Sequence, residues 1–308
     1  MSAEHLPVLC SETIDSLLSI EGECATLVDA TFGRGGHARA LLEHLAADAR
    51  LVVVDRDPEA IAVARALAAA DDRVVVCHGP FSALAELLAA IGVTQADGIL
   101  LDLGVSSPQL DDAARGFSFQ QEGPLDMRMD PSTGESAADW LNSAPVEEIA
   151  EILKTLGEER FARRIARAIV DARPLGTTAE LADIVTRAQP RSRERGKHPA
   201  TRSFQAVRMH VNNELEELAS ALAAAFELLR PGGRLAIISF HSLEDRLVKR
   251  AFRSLASPPS VPRHIPVRGS EQQARGRLVA GPVRAAAKEL SQNPRARSAT
   301  LRVIERLQ

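Results

Sequence analysis

Residues 26–42, TLVDATFGRGGHARALL, decide how this chain folds. A short apolar run ends at Asp29, a turn follows with glycines at 33, 35 and 36, and an alanine-rich helical pattern then begins. Gly33-x-Gly35-x-x-Ala38 fits the strand–turn–helix pattern that carries a nucleotide-type ligand. Glycine suits such a turn because the backbone bends sharply and lies close to the ligand, where a Cβ would collide. The unpaired N–H groups of the helix start then face an anionic group. A second apolar run, LVVVD, ends at Asp55. It lies about 20 residues beyond the turn, where a carboxylate can accept both hydroxyls of a ribose.

Outward from this unit the first third of the chain alternates between strands and helices. The runs at 25–30, 51–55, 74–78 and 98–103 are short and apolar on both alternating positions, as in parallel strands covered on both faces. Helices are expected at about 36–47, 58–70 and 82–91, with Pro58 in a first turn. Right-handed crossovers make this an open, doubly wound α/β sheet whose ligand sits at the carboxyl ends of the strands. That edge collects Asp29 to Gly36, Asp55, Gly79 to Phe81, and Asp102 to Gln109.

After residue 107 the pattern changes to a long stretch rich in Gly, Pro, Asp and Ser, read as a functional loop. Helices are expected at about 136–142, 146–155, 158–172 and 178–188, the last opened by a Thr177-x-x-Glu180 capping box. Phe204, Val207, Val211, Leu215, Leu218, Leu222, Phe226 and Leu229 form an apolar stripe. It predicts one helix over 201–230, roughly 45 Å long at 1.5 Å per residue. A fifth strand at 234–242, a helix at 243–255 and a last strand at 299–305 resume the α/β pattern. The expected organisation is a sheet domain made of 1–112 and 210–308, interrupted by an all-helical insertion at 113–209.

The 308 residues are 45% hydrophobic and 25% charged, with no apolar run near the roughly 20 residues a membrane helix needs. The start, MSAEHLPVLC, lacks a basic region followed by an apolar one, so a cytoplasmic chain is expected. Its three cysteines form no C-x-x-C pair, and with no His cluster they argue for buried thiols and against a metal site. Net charge is only −4, yet residues 1–112 carry −12 and residues 231–308 carry +10. A run from Arg187 to Arg208 adds seven cations and one Glu. Such asymmetry fits a polyanionic partner.

Glycine turn and ribose carboxylate do not by themselves separate a dinucleotide from S-adenosylmethionine. Longer blocks do carry a resemblance: HLPVL at 5–9, DATFGRGGH at 29–37, DRDP at 55–58, LLDLGVSSPQLD at 100–111 and RGFSF at 115–119. GPLDMRMD at 123–130, HPATRSFQAVRMHVNNEL at 198–215, SFHSLEDR at 239–246 and NPRARSATLR at 293–302 continue it. Together they resemble the ribosomal RNA small subunit methyltransferase H family, also called MraW. The resemblance implies a Rossmann-like methyltransferase sheet that uses S-adenosylmethionine to methylate the N4 amine of a cytidine in the decoding centre of 16S ribosomal RNA. It assigns cofactor contacts to Gly35, Gly36, His37, Asp55, Phe81, Asp102 and Gln109. The partner it implies is the small ribosomal subunit, with no membrane and no metal; monomer and dimer both stay open.

The transfer chemistry is less legible. Other amine methyltransferases often carry an Asp/Asn-Pro-Pro-aromatic loop after the fourth strand, whereas this chain has Asp102-Leu-Gly-Val-Ser-Ser-Pro108. That disfavours a DNA amine methyltransferase and leaves Phe117, Phe119 and Phe240 as possible stacking residues. Asp102, Ser106, Asp126 and His241 are candidates for the polar partner of N4, with Asp102 and Asp126 as the catalytic nominees. Arg193, Arg195, Lys197, Arg202, Arg295 and Arg297 are candidate RNA contacts, because phosphate neutralisation dominates such affinity. A nicotinamide-linked dehydrogenase and a catalytically silent ribosome assembly factor are the rival readings.

Overall fold

The structure, a computed structural model, describes residues 7–18, 26–190, 198–258, 273–279 and 281–308. The chain divides into two compact units, Met1–Gly104 with Glu216–Gln308, and Val105–Leu215.

The first unit is built on a seven-stranded sheet: β1 (Thr26–Asp29), β2 (Arg50–Asp55), β3 (Val74–His78), β4 (Ala96–Asp102), β5 (Leu229–Ser239), β6 (Gly276–Leu278) and β7 (Thr300–Arg306). Their order across the sheet is β3-β2-β1-β4-β5-β7-β6. The first five are parallel, and β7 runs antiparallel between β5 and β6. The chain steps outward from β1 to β3, then returns to place β4 on the other side of β1. This reversal between β1 and β4 is the switch point at which doubly wound sheets bind ligands.

The apolar runs behave as strands buried on both faces. Leu27, Leu51, Val53, Leu100 and Ile238 join one core. Their neighbours Val28, Val52, Val54, Ile99 and Ile237 join the other. Residues one apart in a strand point to opposite faces, so VVV-type runs satisfy both cores at once. Helices α1 (Cys10–Leu18), α2 (Gly36–Leu42), α3 (Pro58–Ala68) and α4 (Leu84–Ala90) precede the second unit. Helix α2 is shorter than its alanine-rich sequence predicts, and α4 is preceded by a 3-10 turn at Phe81–Ala83.

The second unit holds α5 (Ser107–Asp111), α6 (Ala137–Ser143), α7 (Val146–Thr155), α8 (Ala162–Asp171), α9 (Thr178–Ala188) and α10 (Thr201–Val211). It has its own core, with Leu125, Met127, Leu141, Leu153, Ile165 and Leu181 at or near complete burial. The predicted loop after 107 is interrupted by α5 and by a 3-10 turn at Ala113–Arg115, and is otherwise irregular up to Ser136.

Helices α11 (Glu214–Leu228), α12 (Ser242–Leu255) and α13 (Ala287–Gln292) follow. The single helix expected over 201–230 is instead two, α10 and α11. Asn213 adopts φ 51°, a left-handed conformation that ends a helix and that asparagine tolerates better than most residues. Asn212 is nearly fully buried, its amide donating to the Met127 and Arg208 carbonyls and its Oδ1 accepting the Met129 N–H, each at 2.8 Å. An apolar stripe does not register such a joint. No described helix is long and apolar enough to cross a membrane.

Candidate active site

Three strand ends and the glycine turn are tied to one another by hydrogen bonds at the switch point. The Phe32 N–H reaches the Val54 carbonyl at 3.0 Å, and the Asp102 N–H donates to Thr31 Oγ1 at 2.6 Å. Asp55 Oδ2 accepts the Gly33 N–H at 2.8 Å, and its Oδ1 accepts the Asp57 N–H at 2.9 Å. Asp55 therefore shapes the turn as well as lining it. Each carboxylate oxygen offers two lone pairs, so the group keeps acceptor capacity for hydroxyls.

At Gly35 the chain has φ 76°, and a Cβ there would sit 2.6 Å from the Phe32 ring. A Cβ on Gly36 would press against Pro7 at 3.1 Å. The turn is thus closed from behind by Phe32 and covered by Pro7. His37 in the first turn of α2 is buried, with Nε2 3.0 Å from the Val8 carbonyl. Burial lowers its pKa to about 4, against the opposing effect of that carbonyl. The ring is neutral near pH 7, and the carbonyl fixes the proton on Nε2. The Nδ1 lone pair is left facing Asp102 Oδ2 at 3.6 Å.

Two acids at these tips meet no countercharge among the described residues. Asp29 is buried, and its pKa is pushed up to about 7 by burial, partly offset by the Thr31 N–H and reinforced by Asp55. Asp102 is raised well above the ordinary carboxylate range, first by burial and then by Asp29 and Glu244. Its Oδ1 is buried and finds no hydrogen-bond partner among the described residues. A buried carboxylate is costly unless a cation or donor meets it. S-adenosylmethionine carries an ammonium and a sulfonium, which are the charges this pair lacks. The amides at the start of α2 could meet its carboxylate, Asp55 its ribose, and Phe81, half-buried where the 3-10 turn opens after β3, its adenine.

Of the cofactor residues expected from the sequence, the first unit brings Gly35, Gly36, His37, Asp55, Phe81 and Asp102 to one sheet edge. Gln109 is a residue of the inserted unit, buried, with Oε1 accepting the Ser106 N–H at 2.9 Å in the capping box of α5. Asp126, also of that unit, is occupied by Arg128, whose Nε and Nη2 donate to it at 2.9 and 2.7 Å. Burial works to raise the Asp126 pKa, but the Arg128 hydrogen bonds prevail and lower it. His241 caps α12 and lies 3.0 Å from Glu244 Oε1. Phe119 stacks with His198 and Phe204 inside its own unit, Phe117 is buried there, and Phe240 lies beside Gly104 in the first unit. Arg193, Arg195 and Lys197 lie outside the described residues. Arg202 and Arg297 are exposed, and Arg295 is half-buried.

Sequence reasoning put Asp29 and Thr31 at this edge without their roles and missed the part of Val8. Thr31 ties β4 to the turn, the Val8 carbonyl sets the His37 proton, and Asp29 adds its field to Asp102. The HLPVL block signalled that residues 7 and 8 mattered without showing why.

Known proteins resemble this chain over nearly its whole length. The ribosomal RNA small subunit methyltransferase H of Bordetella petrii is 53% identical over 99% of this chain and 90% of its own length. That of Aromatoleum aromaticum is 54% identical over 98% of this chain and 97% of its own. Among solved structures, an rRNA methylase from Streptococcus thermophilus covers 96% of this chain and 95% of its own at TM-score 0.43 and 10% identity. The model of the MraW methylase family matches residues 2–307, and the chain belongs to that family.

Proposed function

We propose that this methylase acts on the N4 amine of a cytidine in the decoding centre of small-subunit 16S ribosomal RNA. The observation that carries the reading is the pair of acids at the switch point, Asp29 buried and Asp102 half-buried with one buried oxygen, which meet no cation among the described residues, in a chain whose relatives are named for small-subunit RNA methylation. S-adenosylmethionine supplies a methyl group already activated on a sulfonium. The protein's task is then to align an in-line displacement and to exclude water.

Within that task each residue has a definable part. The start of α2 offers N–H groups to a carboxylate, the Gly33 and Gly35 N–H groups being bonded to Asp55 and to the Phe32 carbonyl, while Asp55 accepts from ribose hydroxyls. His37, held neutral by burial and oriented by Val8, cannot neutralise Asp102, which stays available to a ligand cation. Cytosine N4 is a weak nucleophile because its lone pair is delocalised into the ring, so an acceptor for its N–H helps expose that pair. Of the two nominees, Asp102 retains an unengaged oxygen and Asp126 does not. We assign that role to Asp102 as well.

The nucleotide is recognised unstacked, and Arg202, Arg295 and Arg297 neutralise flanking phosphates, as do Arg193, Arg195 and Lys197. The inserted unit is the RNA-recognition part. Such a substrate places the protein in the cytoplasm.

The decisive experiment incubates the full chain with small ribosomal subunits and S-adenosylmethionine labelled at the methyl group, then digests the RNA to nucleosides. One labelled product, a cytidine methylated at N4, is expected. Label on another atom overturns the proposed chemistry. Subunit and S-adenosylhomocysteine binding without transfer identifies a silent assembly factor instead.

A further inference from the structure

One helix of the sheet unit carries a charge pattern for which the cofactor edge has no use. In α12, Arg246, Lys249, Arg250 and Arg253 follow at steps of three, one and three. Residues so spaced share one helix face over roughly 10 Å of axis. The other face is apolar and spent: Val248 and Phe252 are 1% exposed and belong to the core against the sheet. The two acids of the helix are also committed, Glu244 to the N-terminal cap and Asp245 to Arg302 through bonds of 2.7 and 3.1 Å. Among the described residues, Lys249, Arg250 and Arg253 have no carboxylate partner.

Beside this face is a cavity of about 310 Å³, lined by Lys249, Arg253 and Arg302 with Phe252, Leu278 and Pro282 among its apolar walls. Its charged lining residues are all cations. Leu278, a large apolar side chain left 47% exposed, stands at its edge. Arg302 is held by Asp245, whereas Lys249 and Arg253 meet no carboxylate among the described residues; such cations select an anion, and an apolar wall beside them suits a sugar or base attached to it. A nucleic-acid strand offers both at every nucleotide. An anionic membrane fits less well, because surface-bound basic helices insert their apolar face and here that face is buried.

We infer that the basic face of α12, with the adjoining cavity, is a phosphate-tracking surface for an RNA strand, separate from the cofactor edge. Resting on the proposed RNA substrate, it extends recognition to the sheet unit. Lys249 and Arg253 each contact a phosphodiester, and Leu278 lies against the sugar between them. Helix α12 begins at the carboxyl end of β5, so the face leads from the catalytic edge along the flank of the sheet.

The test compares the full chain with the Lys249→Ala/Arg253→Ala double variant in two assays. The first is direct binding of naked small-subunit RNA over a salt series. The wild-type slope of log affinity against log salt should fall by about 1.4 in the variant, at about 0.7 per lost single-strand phosphate contact. Affinity should fall about tenfold, while S-adenosylhomocysteine affinity and Tm stay unchanged. Lys249→Arg/Arg253→Lys should restore the slope, and Arg65→Ala on the exposed side of α3 should not change it. An unaltered slope overturns the inference. The second assay, methyl incorporation into small subunits by the wild type, tests the proposed reaction independently. Its failure leaves the binding result standing, and a variant with wild-type binding defeats the surface even when the reaction succeeds.

Discussion

At the tips of β1 and β4, Asp29 is buried and Asp102 half-buried, and Asp102 keeps a buried oxygen with no partner among the described residues. In the inserted unit, Asp126 receives two guanidinium bonds and the Arg128 N–H, Asn212 satisfies three main-chain groups, and Arg115 Nη2 reaches the Met129 carbonyl at 2.8 Å. The same residue type is starved in one place and saturated in the other. The proposed function accounts for this contrast: Asp126 serves the fold and is satisfied by it, whereas Asp102 is left for a ligand, in keeping with its raised proton affinity.

Asp102→Asn tests this contrast most severely. It should weaken S-adenosylhomocysteine binding about 100-fold, close to 2.7 kcal/mol at 1.36 kcal/mol per tenfold, while Tm stays level or rises. Calorimetry and a thermal melt decide it; a lower Tm with normal affinity would make Asp102 a structural residue. Asp126→Asn should do the reverse, costing about 1 kcal/mol of stability because the pair with Arg128 is partly exposed, and leaving cofactor affinity intact. Denaturant unfolding beside the same calorimetry shows whether that division holds.

The smallest effect is in pH. Burial raises the Asp29 and Asp102 pKa values, so their neutral forms stabilise the unliganded fold fully below about pH 4. That stability is lost as pH rises, for Asp29 through about 7. The Tm advantage of Asp102→Asn over wild type should therefore grow from pH 4 upward. A cationic ligand favours the ionised acids, so wild-type affinity should strengthen several-fold between pH 5.5 and 7.5. A flat profile for both quantities would remove the electrostatic basis of the comparison.

The sheet was legible in sequence because parallel strands buried on both faces leave unbroken runs such as LVVVD, and Asp29, Asp55 and Asp102 could be placed at their ends. Other features were hidden for definite reasons. The three-residue β6 is too short to show a period, and the apolar stripe through 201–230 continues in phase across the Asn212–Asn213 joint. The bond from His37 to Val8 was invisible because its acceptor is a main-chain oxygen 29 residues away. Asp126 and Asp102 look alike in a string of letters; only three-dimensional neighbours tell the occupied acid from the vacant one. The four cations of α12 could be counted from the sequence, but not the burial of the helix's opposite face.

Strand β7 lies between β5 and β6, although its residues, Thr300–Arg306, follow those of every other strand in the chain. During synthesis β5 must wait with one edge open, exposing the unpaired main-chain groups that template aggregation. A ribosome that stalls before residue 300 releases a product without this closing strand. Closure of the sheet therefore waits on its last strand, and β5 keeps an open edge until residues 300–306 have been made.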